Sequence, residues 1–317
     1  MSKRFGTLEA VRGIDFSVKK GEVFGFLGPN GAGKSTTIKI LCTLTEPSGG
    51  SAKVADHDVA KERDEVRRHI GLVFQDTTLD EYLTAEQNLR FHAELYGIPT
   101  PLVGPRMDQV LNIVALTERR KSKVSTFSGG MKRRLEIARG LMHSPRVLFL
   151  DEPTIGLDPQ TRSSIWKYIV ELKKQEEITI FLTTHYMDEA ENCDRIAIID
   201  QGKIVALGTP NELKAVVGKD RVQIRTADDA KAIAALKEKF GLDANVHEGQ
   251  VTMSVAGGEA FVPKLFAELG VPILSVNLAR PSLDDVFMHY TGSTIRESEA
   301  SAAEKNRANP MIRMRAR

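Results

Sequence analysis

The chain has 317 residues, enough for two domains with real cores, and its net charge near +2 argues neither for nor against a nucleic-acid partner. Its two cysteines, Cys42 and Cys193, are isolated, with no C-x-x-C, and no secretory leader precedes them, so composition argues against a disulfide scaffold and favours a reduced compartment. No apolar stretch reaches the roughly 18 residues needed to cross a bilayer, so any membrane part would be another chain.

Taken in chain order, the first strong element is the apolar run Val23–Leu27, followed by Gly28-Pro29-Asn30-Gly31-Ala32-Gly33-Lys34-Ser35-Thr36 and then by the periodic residues Ile38, Leu41 and Leu44. That is strand, loop, helix around the phosphate-cradle pattern G-x-x-x-x-G-K-[ST]. Glycines let backbone N–H groups converge on phosphate oxygens, and the helix N-terminus adds orphan donors and a favourable dipole. Lys34 is expected to reach the β- and γ-phosphates, and Ser35 to place its hydroxyl on Mg²⁺. A second apolar run, Ile70–Phe74, ends at Gln75.

A helical segment follows. Thr84-Ala85-Glu86-Gln87 reads as a capping box, Leu89, Ala93 and Tyr96 as an apolar stripe, and Gly97-Ile98-Pro99 as the stop. A second helix carries Met107, Val110, Leu111 and Val114, and the basic run Arg119, Arg120, Lys121, Lys123 reads as a solvated face. Ser128-Gly129-Gly130 then opens a helix with Met131, Leu135, Ala138 and Leu141 on one stripe, so that its N-terminus can face an anion. The insertion is short and globular in pattern, too short for a long coiled coil.

The run Arg146–Leu150 ends in Asp151-Glu152. An apolar run without alternation suits the middle of a parallel sheet, whose ligands bind beyond the strands' carboxyl ends. Asp151 is thereby placed to hold a Mg²⁺-bound water, and Glu152 to polarise a water attacking the γ-phosphate. Asp158 before Pro159 reads as a helix N-cap. The last strand of this region, Ile178–Thr184, ends at His185. His57, His69, His92, His143, His247 and His289 form no ligand-spaced set, so no structural metal is expected.

Beyond Thr209-Pro210 and a short helix ending near Gly218, the pattern begins afresh. Residues Arg221–Arg225 read as a strand, Asp228–Phe240 as a helix, Ala244–His247 and Val251–Val255 as a hairpin around Glu248-Gly249-Gln250, Glu259–Leu269 as a helix and Ile273–Leu278 as a strand. This β-α-β-β-α-β order is ferredoxin-like and holds no catalytic constellation. From Ser293 the composition is Ala-, Glu-, Ser- and Arg-rich, and a disordered tail is expected.

The series of motifs resembles the nucleotide-binding subunit of an ATP-binding cassette (ABC) transporter. Phe127-Ser128-Gly129-Gly130-Met131 is similar to the family's signature motif, although the family's usual last residue is Gln and here it is Met131. The resemblance implies a homodimer in which Ser128, Gly129 and Gly130 of one copy cap the γ-phosphate held by the other. It further implies that Gln75 senses Mg²⁺ and contacts a separate membrane permease, that Asp158 lies in the loop crossing the dimer interface, and that His185 holds Glu152 and the attacking water. Phe5 matches the aromatic that stacks on adenine. Family members usually carry another short strand and turn ahead of that aromatic; here Met1 comes only four residues before Phe5, so either the chain starts late or an edge strand is missing.

The ending Pro281-Ser282-Leu283-Asp284-Asp285-Val286-Phe287, with Tyr290-Thr291-Gly292, resembles that of the daunorubicin-resistance type, whose members export drugs or other amphipathic compounds. The expected fold is α/β: a P-loop NTPase of the ABC ATPase kind over residues 1–217, with a helical subdomain at about 83–143, then a small α+β ferredoxin-like domain over 218–292 and the tail over 293–317. The implied cofactors are ATP and Mg²⁺, the partners a permease and a second copy, and the location the cytoplasmic face of the membrane, with no nucleic acid. Two alternatives stay open. One is a soluble ABC protein acting on ribosomes or DNA, whose translation members usually carry two cassettes where this chain has one. The other is the ATPase of an importer.

Overall fold

The structure, a computed structural model, describes residues 1–247 and 249–292. The expected tail over 293–317, and Glu248 in the expected hairpin turn, lie outside the described residues. The described chain divides into two units, Met1–Thr209 and Pro210 onward.

The first unit opens with a hairpin of β1 (Lys3–Phe5) and β2 (Leu8–Val11), so the aromatic Phe5 itself ends a short strand. Then come β3 (Val23–Leu27), α1 (Lys34–Leu41), a small hairpin of β4 (Lys53–Val54) and β5 (His57–Asp58), α2 (Arg63–His69) and β6 (Ile70–Val73). Three helices follow, α3 (Ala85–Leu95), α4 (Thr100–Ile113) and α5 (Gly129–Leu141), before β7 (Val147–Asp151), α6 (Pro159–Glu176), β8 (Thr179–Thr184), α7 (Met187–Ala190), β9 (Arg195–Asp200) and β10 (Lys203–Gly208). The main sheet has six strands in the order β10-β9-β3-β8-β7-β6. All neighbours run parallel except β10, which closes the edge antiparallel.

Every residue of β3 and β8 is buried, which is why β3 and the Ile180–Leu182 centre of β8 read as apolar without alternation. Their register builds the core and the site together. Phe24 of β3 pairs with Phe181 of β8, and Phe181 pairs with Phe149 of β7, giving a row of rings 5.4–5.6 Å apart across three strands. Two and three residues further along, the same registers bring Leu27 beside Thr184 and Asp151 beside Thr183. The aromatic core thus fixes which residues meet at the carboxyl ends.

Helices α3, α4 and α5 pack on one another, and α5 also lies on β6. The Thr84 capping box forms: the Thr84 N–H donates to Gln87 Oε1 at 2.8 Å and the Gln87 N–H to Thr84 Oγ1 at 3.2 Å. The basic run after α4 is not simply solvated. Arg120 donates to Glu86 Oε2 at 2.8 Å and pairs with Asp108, so it ties α3 to α4.

In the second unit, α8 (Pro210–Val217) precedes β11 (Asp220–Thr226), α9 (Asp229–Phe240), β12 (Ala244–His247), β13 (Gln250–Val255), α10 (Gly258–Glu268), β14 (Ile273–Ala279) and α11 (Leu283–Thr291). The antiparallel sheet runs β12-β13-β11-β14, the ferredoxin-like order. Its core joins Val222, Ile224, Val251 and Met253 to Leu236 of α9 and Leu265 of α10. The unit begins at Pro210 where a start at 218 was expected, because α8 packs on α11. Ser282 opens α11 with a second capping box, which the motif Pro281–Phe287 encodes.

Candidate active site

Strands β3, β8 and β7 are neighbours, so the three segments leaving their carboxyl ends start side by side. After β3 the chain turns at Gly28, whose N–H donates to the Thr184 carbonyl at 3.2 Å. A Cβ at Gly28 would lie 2.2 Å from the Ile199 carbonyl oxygen, so the loop sits against β9 with no room for a side chain. Gly33, at the N-cap of α1, has φ +111°, and a Cβ there would meet the Ala10 oxygen at 2.5 Å. Between them Pro29 and Ala32 are buried while Asn30 and Gly31 face solvent; Ser35 and Thr36 are half-buried in the first turn of α1. The loop is thus closed to side chains at both ends and leads directly into the N-terminus of α1, the setting that suits a phosphate chain.

Lys34 is 4% exposed and its Nζ donates to the Gly28 oxygen at 2.7 Å and the Pro29 oxygen at 3.2 Å. Its third partner is Glu152 Oε1, 3.1 Å away. The other oxygen of Glu152 lies 3.2 Å from His185 Nδ1. A carboxylate from the end of β7 is thus bracketed by the phosphate-loop lysine and the histidine that follows β8. Burial pushes the Glu152 carboxyl up, but the His185 hydrogen bond and the Lys34 charge outweigh it and hold it below its ordinary value.

Asp151 Oδ1 accepts from Ser35 Oγ at 3.2 Å and from Thr183 Oγ1 at 2.6 Å. Glu152 has a left-handed backbone, φ +46°, and its N–H donates to the same Thr183 hydroxyl at 2.9 Å. One hydroxyl therefore orients both carboxylates. The neighbouring oxygens of Ser35 and Asp151 are hard, anionic or neutral donors of the kind Mg²⁺ takes, and the loop closed to side chains suits a phosphate, so both groups fit the residues present.

Lys34, Ser35, Asp151, Glu152 and His185 form one hydrogen-bonded set. Gly28 and Pro29 join it through the Lys34 Nζ bonds to their carbonyls, whereas among the described residues no hydrogen bond joins Gln75, Ser128, Gly129, Gly130, Asp158 or Phe5 to it. Gln75 lies exposed two residues beyond β6. Ser128 caps its own helix, accepting from the Met131 N–H at 3.3 Å, and Asp158 caps α6, accepting from the Thr161 N–H at 2.9 Å. Since α5 packs on α6, Ser128, Gly129 and Asp158 are exposed at neighbouring helix starts, with Gly130 buried beneath. Phe5 is 50% exposed, with Lys3 Nζ 4.9 Å from its ring centre.

Sequence reasoning passed over Thr183, Glu189 and the pair Arg133 and Glu136. Glu189 is buried, accepting from Thr184 Oγ1 at 2.8 Å and bonded to Thr154 Oγ1, so it ties the loop after β7 to the end of β8. The available signal was the polar pair Thr183-Thr184 closing an apolar strand. His57, Glu65 and His69 do come together within 4.8 Å, because β5 lies on α2. Glu65 pairs with Arg68 at 2.7 Å and His57 Nδ1 lies 3.2 Å from Glu62 Oε1, so two of the three side chains already have partners.

The family profile for ABC transporters matches residues 11–155, and the profile for the C-terminal domain of DrrA1-3-like ATP-binding proteins matches residues 208–291. A linearmycin resistance ATP-binding protein of Bacillus subtilis is 40% identical over 94% of this chain and 98% of its own length. A daunorubicin/doxorubicin resistance ATP-binding protein of Streptomyces peucetius is 39% identical over 96% of this chain and 94% of its own. Among solved structures, CbiO1 of Clostridium perfringens, part of an ABC transporter complex, superposes with TM-score 0.64 at 30% identity, over 76% of this chain and 93% of that one. An ATP-binding cassette captured as a dimer after hydrolysis, with ADP and phosphate, gives TM-score 0.58 at 26% identity, over 66% of this chain and 94% of that one.

Proposed function

The chain belongs to the ABC transporter ATPase family, in its daunorubicin-resistance-type branch, and from that premise we propose that it energises export of a drug or other amphipathic compound through a separate membrane permease. It is an ATPase. The single observation that carries its chemistry is Glu152, with one oxygen on Lys34 and the other on His185.

Glu152 acts as general base toward the water that attacks the γ-phosphate, and His185 holds that carboxylate and the phosphate in register. Lys34 and the N–H groups of Gly28 to Thr36 bind and neutralise phosphate oxygens. Ser35, Asp151 and Gln75 would hold Mg²⁺, which would supply charge neutralisation and alignment of the phosphates. Two copies close around two nucleotides, so that Ser128, Gly129 and Gly130 of one complete the site of the other across the loop carrying Asp158. Phe5 stacks on adenine. Gln75 carries the closure to the permease, which places the chain at the cytoplasmic face of the membrane. Among the described residues no helix is long and apolar enough to cross that membrane itself. The relatives named for resistance to linearmycin and to daunorubicin support an amphipathic cargo.

The test is ATPase activity against protein concentration, with wild type beside Glu152→Gln. Hydrolysis should rise more than linearly, and the variant should turn over at least about 100-fold more slowly while retaining ATP in a dimer seen by light scattering. Near-normal turnover by the variant would remove Glu152 from its role. For the cargo, co-expression with a separately encoded ABC permease should lower daunorubicin accumulation in cells relative to the permease alone; unchanged accumulation would count against export of this class.

A further inference from the structure

Helix α5 carries, one turn beyond Ser128, a guanidinium in a place where charge is costly. Arg133 is 6% exposed and Glu136, one turn on, is 1% exposed. A guanidinium has five N–H groups, and in the interior each needs an acceptor. Arg133 has five. Its Nε donates to the Pro153 carbonyl at 2.6 Å, its Nη2 to the carbonyls of Asp151 at 3.1 Å and Glu152 at 3.2 Å, and its Nη1 to Glu136 Oε2 at 3.1 Å and to the Phe74 carbonyl.

The partners fall into two groups. Three consecutive carbonyls, those of residues 151–153, point at one cation, and in the middle stands Glu152 with its left-handed φ of +46°. A non-glycine residue keeps that backbone only where its surroundings over-determine it. Arg133 on one side and the Thr183 hydroxyl on the Glu152 N–H do so here. The second group is the segment that contains Gln75. Arg133 takes the Phe74 carbonyl at its start, and Glu136 Oε1 accepts from the Thr78 N–H at 2.8 Å at its end. Arg139, one further turn along α5, donates to the Thr78 carbonyl at 2.8 Å. The loop is gripped at both ends by one helix, and that helix grips the catalytic carboxylate's peptide from behind.

We propose that Arg133, paired with Glu136, is a positioning residue that couples the Gln75 loop to the Glu152 peptide, so that the loop and the catalytic carboxylate move as one body with α5. The link rests on the nucleotide-hydrolysing site proposed above. It supplies what that site lacks in its own residues, since no hydrogen bond among the described residues joins Gln75 to the phosphate-loop cluster. Because Ser128 caps the same helix, a movement that draws α5 toward a second copy also shifts the carbonyls of 151–153 and the loop of 74–78.

The experiment compares wild type, Arg133→Gln and Arg133→Lys as purified full-length chains, by amide hydrogen exchange with and without Mg·ATP and by steady-state ATPase. In wild type, ATP should slow exchange both in the phosphate loop, 28–36, and in the loop 74–80. In Arg133→Gln, ATP should still protect 28–36 with its apparent affinity within about threefold, while 74–80 no longer responds and kcat falls at least about 30-fold. Arg133→Lys keeps the charge with fewer donors, and should fall between the two. It also keeps the test open should Arg133→Gln fail to fold. A purely structural arginine would change melting and leave the ATP response of 74–80 intact in whichever variant folds; that result, or a kcat within threefold of wild type, overturns the coupling. Absence of ATP protection at 28–36 in wild type itself would instead overturn the nucleotide-site reading, and the coupling with it.

Discussion

Thr183→Val is the sharpest probe of how the two carboxylates are held. Thr183 is 0% exposed, and its single hydroxyl donates to Asp151 Oδ1 at 2.6 Å while accepting from the Glu152 N–H at 2.9 Å. Valine has nearly the same shape, so no cavity opens and the change isolates the hydroxyl. A buried N–H left without a partner costs about 1–3 kcal/mol, and a lost hydrogen bond to a carboxylate about 1.5–3 kcal/mol. Both losses share one atom and are not additive, so about 3 kcal/mol is the expected total. At about 2–4 °C per kcal/mol for a domain of this size, the melting temperature should fall by about 6–12 °C. Because Glu152 loses a restraint on its left-handed backbone, kcat should fall at least about tenfold, whereas Thr183→Ser, which keeps the hydroxyl, should stay close to wild type in both. Thermal unfolding and ATPase on the three proteins decide it. If Thr183→Val melts within 2 °C of wild type with an unchanged kcat, the hydroxyl orients nothing and the account of the site fails.

Gly33→Ala would place a Cβ 2.5 Å from the Ala10 oxygen at a φ of +111°, so the loop must distort, and the rise in melting temperature on adding Mg·ATP should vanish; a preserved rise would contradict the cradle. Burial, with smaller contributions from the His143 and Arg139 charges, lowers His92 to about 3, so this ring is neutral in the folded protein. Its contribution to stability is complete above the unfolded value near 6.5 and is lost as pH falls from there toward the folded value, with a slope of at most about 1.4 kcal/mol per pH unit. His92→Leu should therefore lose up to about 2 kcal/mol less than wild type between pH 7 and pH 5 in urea titrations; equal losses would show that the ring is already charged or solvated.

Much of the cassette is legible in the sequence for one physical reason: in a parallel sheet buried on both faces, strands are unbroken apolar runs, and the residues that end them abruptly are the chemical ones. Val23–Leu27 before Gly28, the run before Asp151 and the run before His185 are each strand and site in a single stretch. What stays hidden depends on partners distant in sequence. Leu213 gives α8 the apolar stripe of any surface helix, and nothing local says that it packs on α11, more than sixty residues away. Arg120 looks solvated beside Arg119 and Lys121 until Glu86 of α3 comes within 2.8 Å. His57 and His69 show no ligand spacing because a hairpin laid on a helix, not a helical repeat, brings them together. Arg133 and Glu136, three residues apart, carry nothing in the sequence that marks them out, and only the burial of that face of α5 makes them a link between two loops.

The Lys34–Glu152 pair leads to one more expectation, because the lysine has a single charge to share. In this structure Lys34 Nζ donates to the carbonyls of Gly28 and Pro29 and lies 3.1 Å from Glu152 Oε1. A γ-phosphate entering the loop must take that charge for its own oxygens, so binding competes with the ion pair and then leaves Glu152 facing a second anion. Both effects oppose ATP in the wild type, and both are removed by Glu152→Gln, which keeps the shape of the side chain and its contact with His185. The variant should accordingly bind ATP more tightly, by about tenfold for each 1.4 kcal/mol of competition relieved, and a gain of about three- to tenfold is expected after discounting for the carbonyls that Lys34 must release in either case. Equilibrium titration with a fluorescent ATP analogue at low salt measures it. A matched loss of affinity would mean that Glu152 helps to hold the nucleotide, and that the loss of turnover in the same variant reports binding and not water activation.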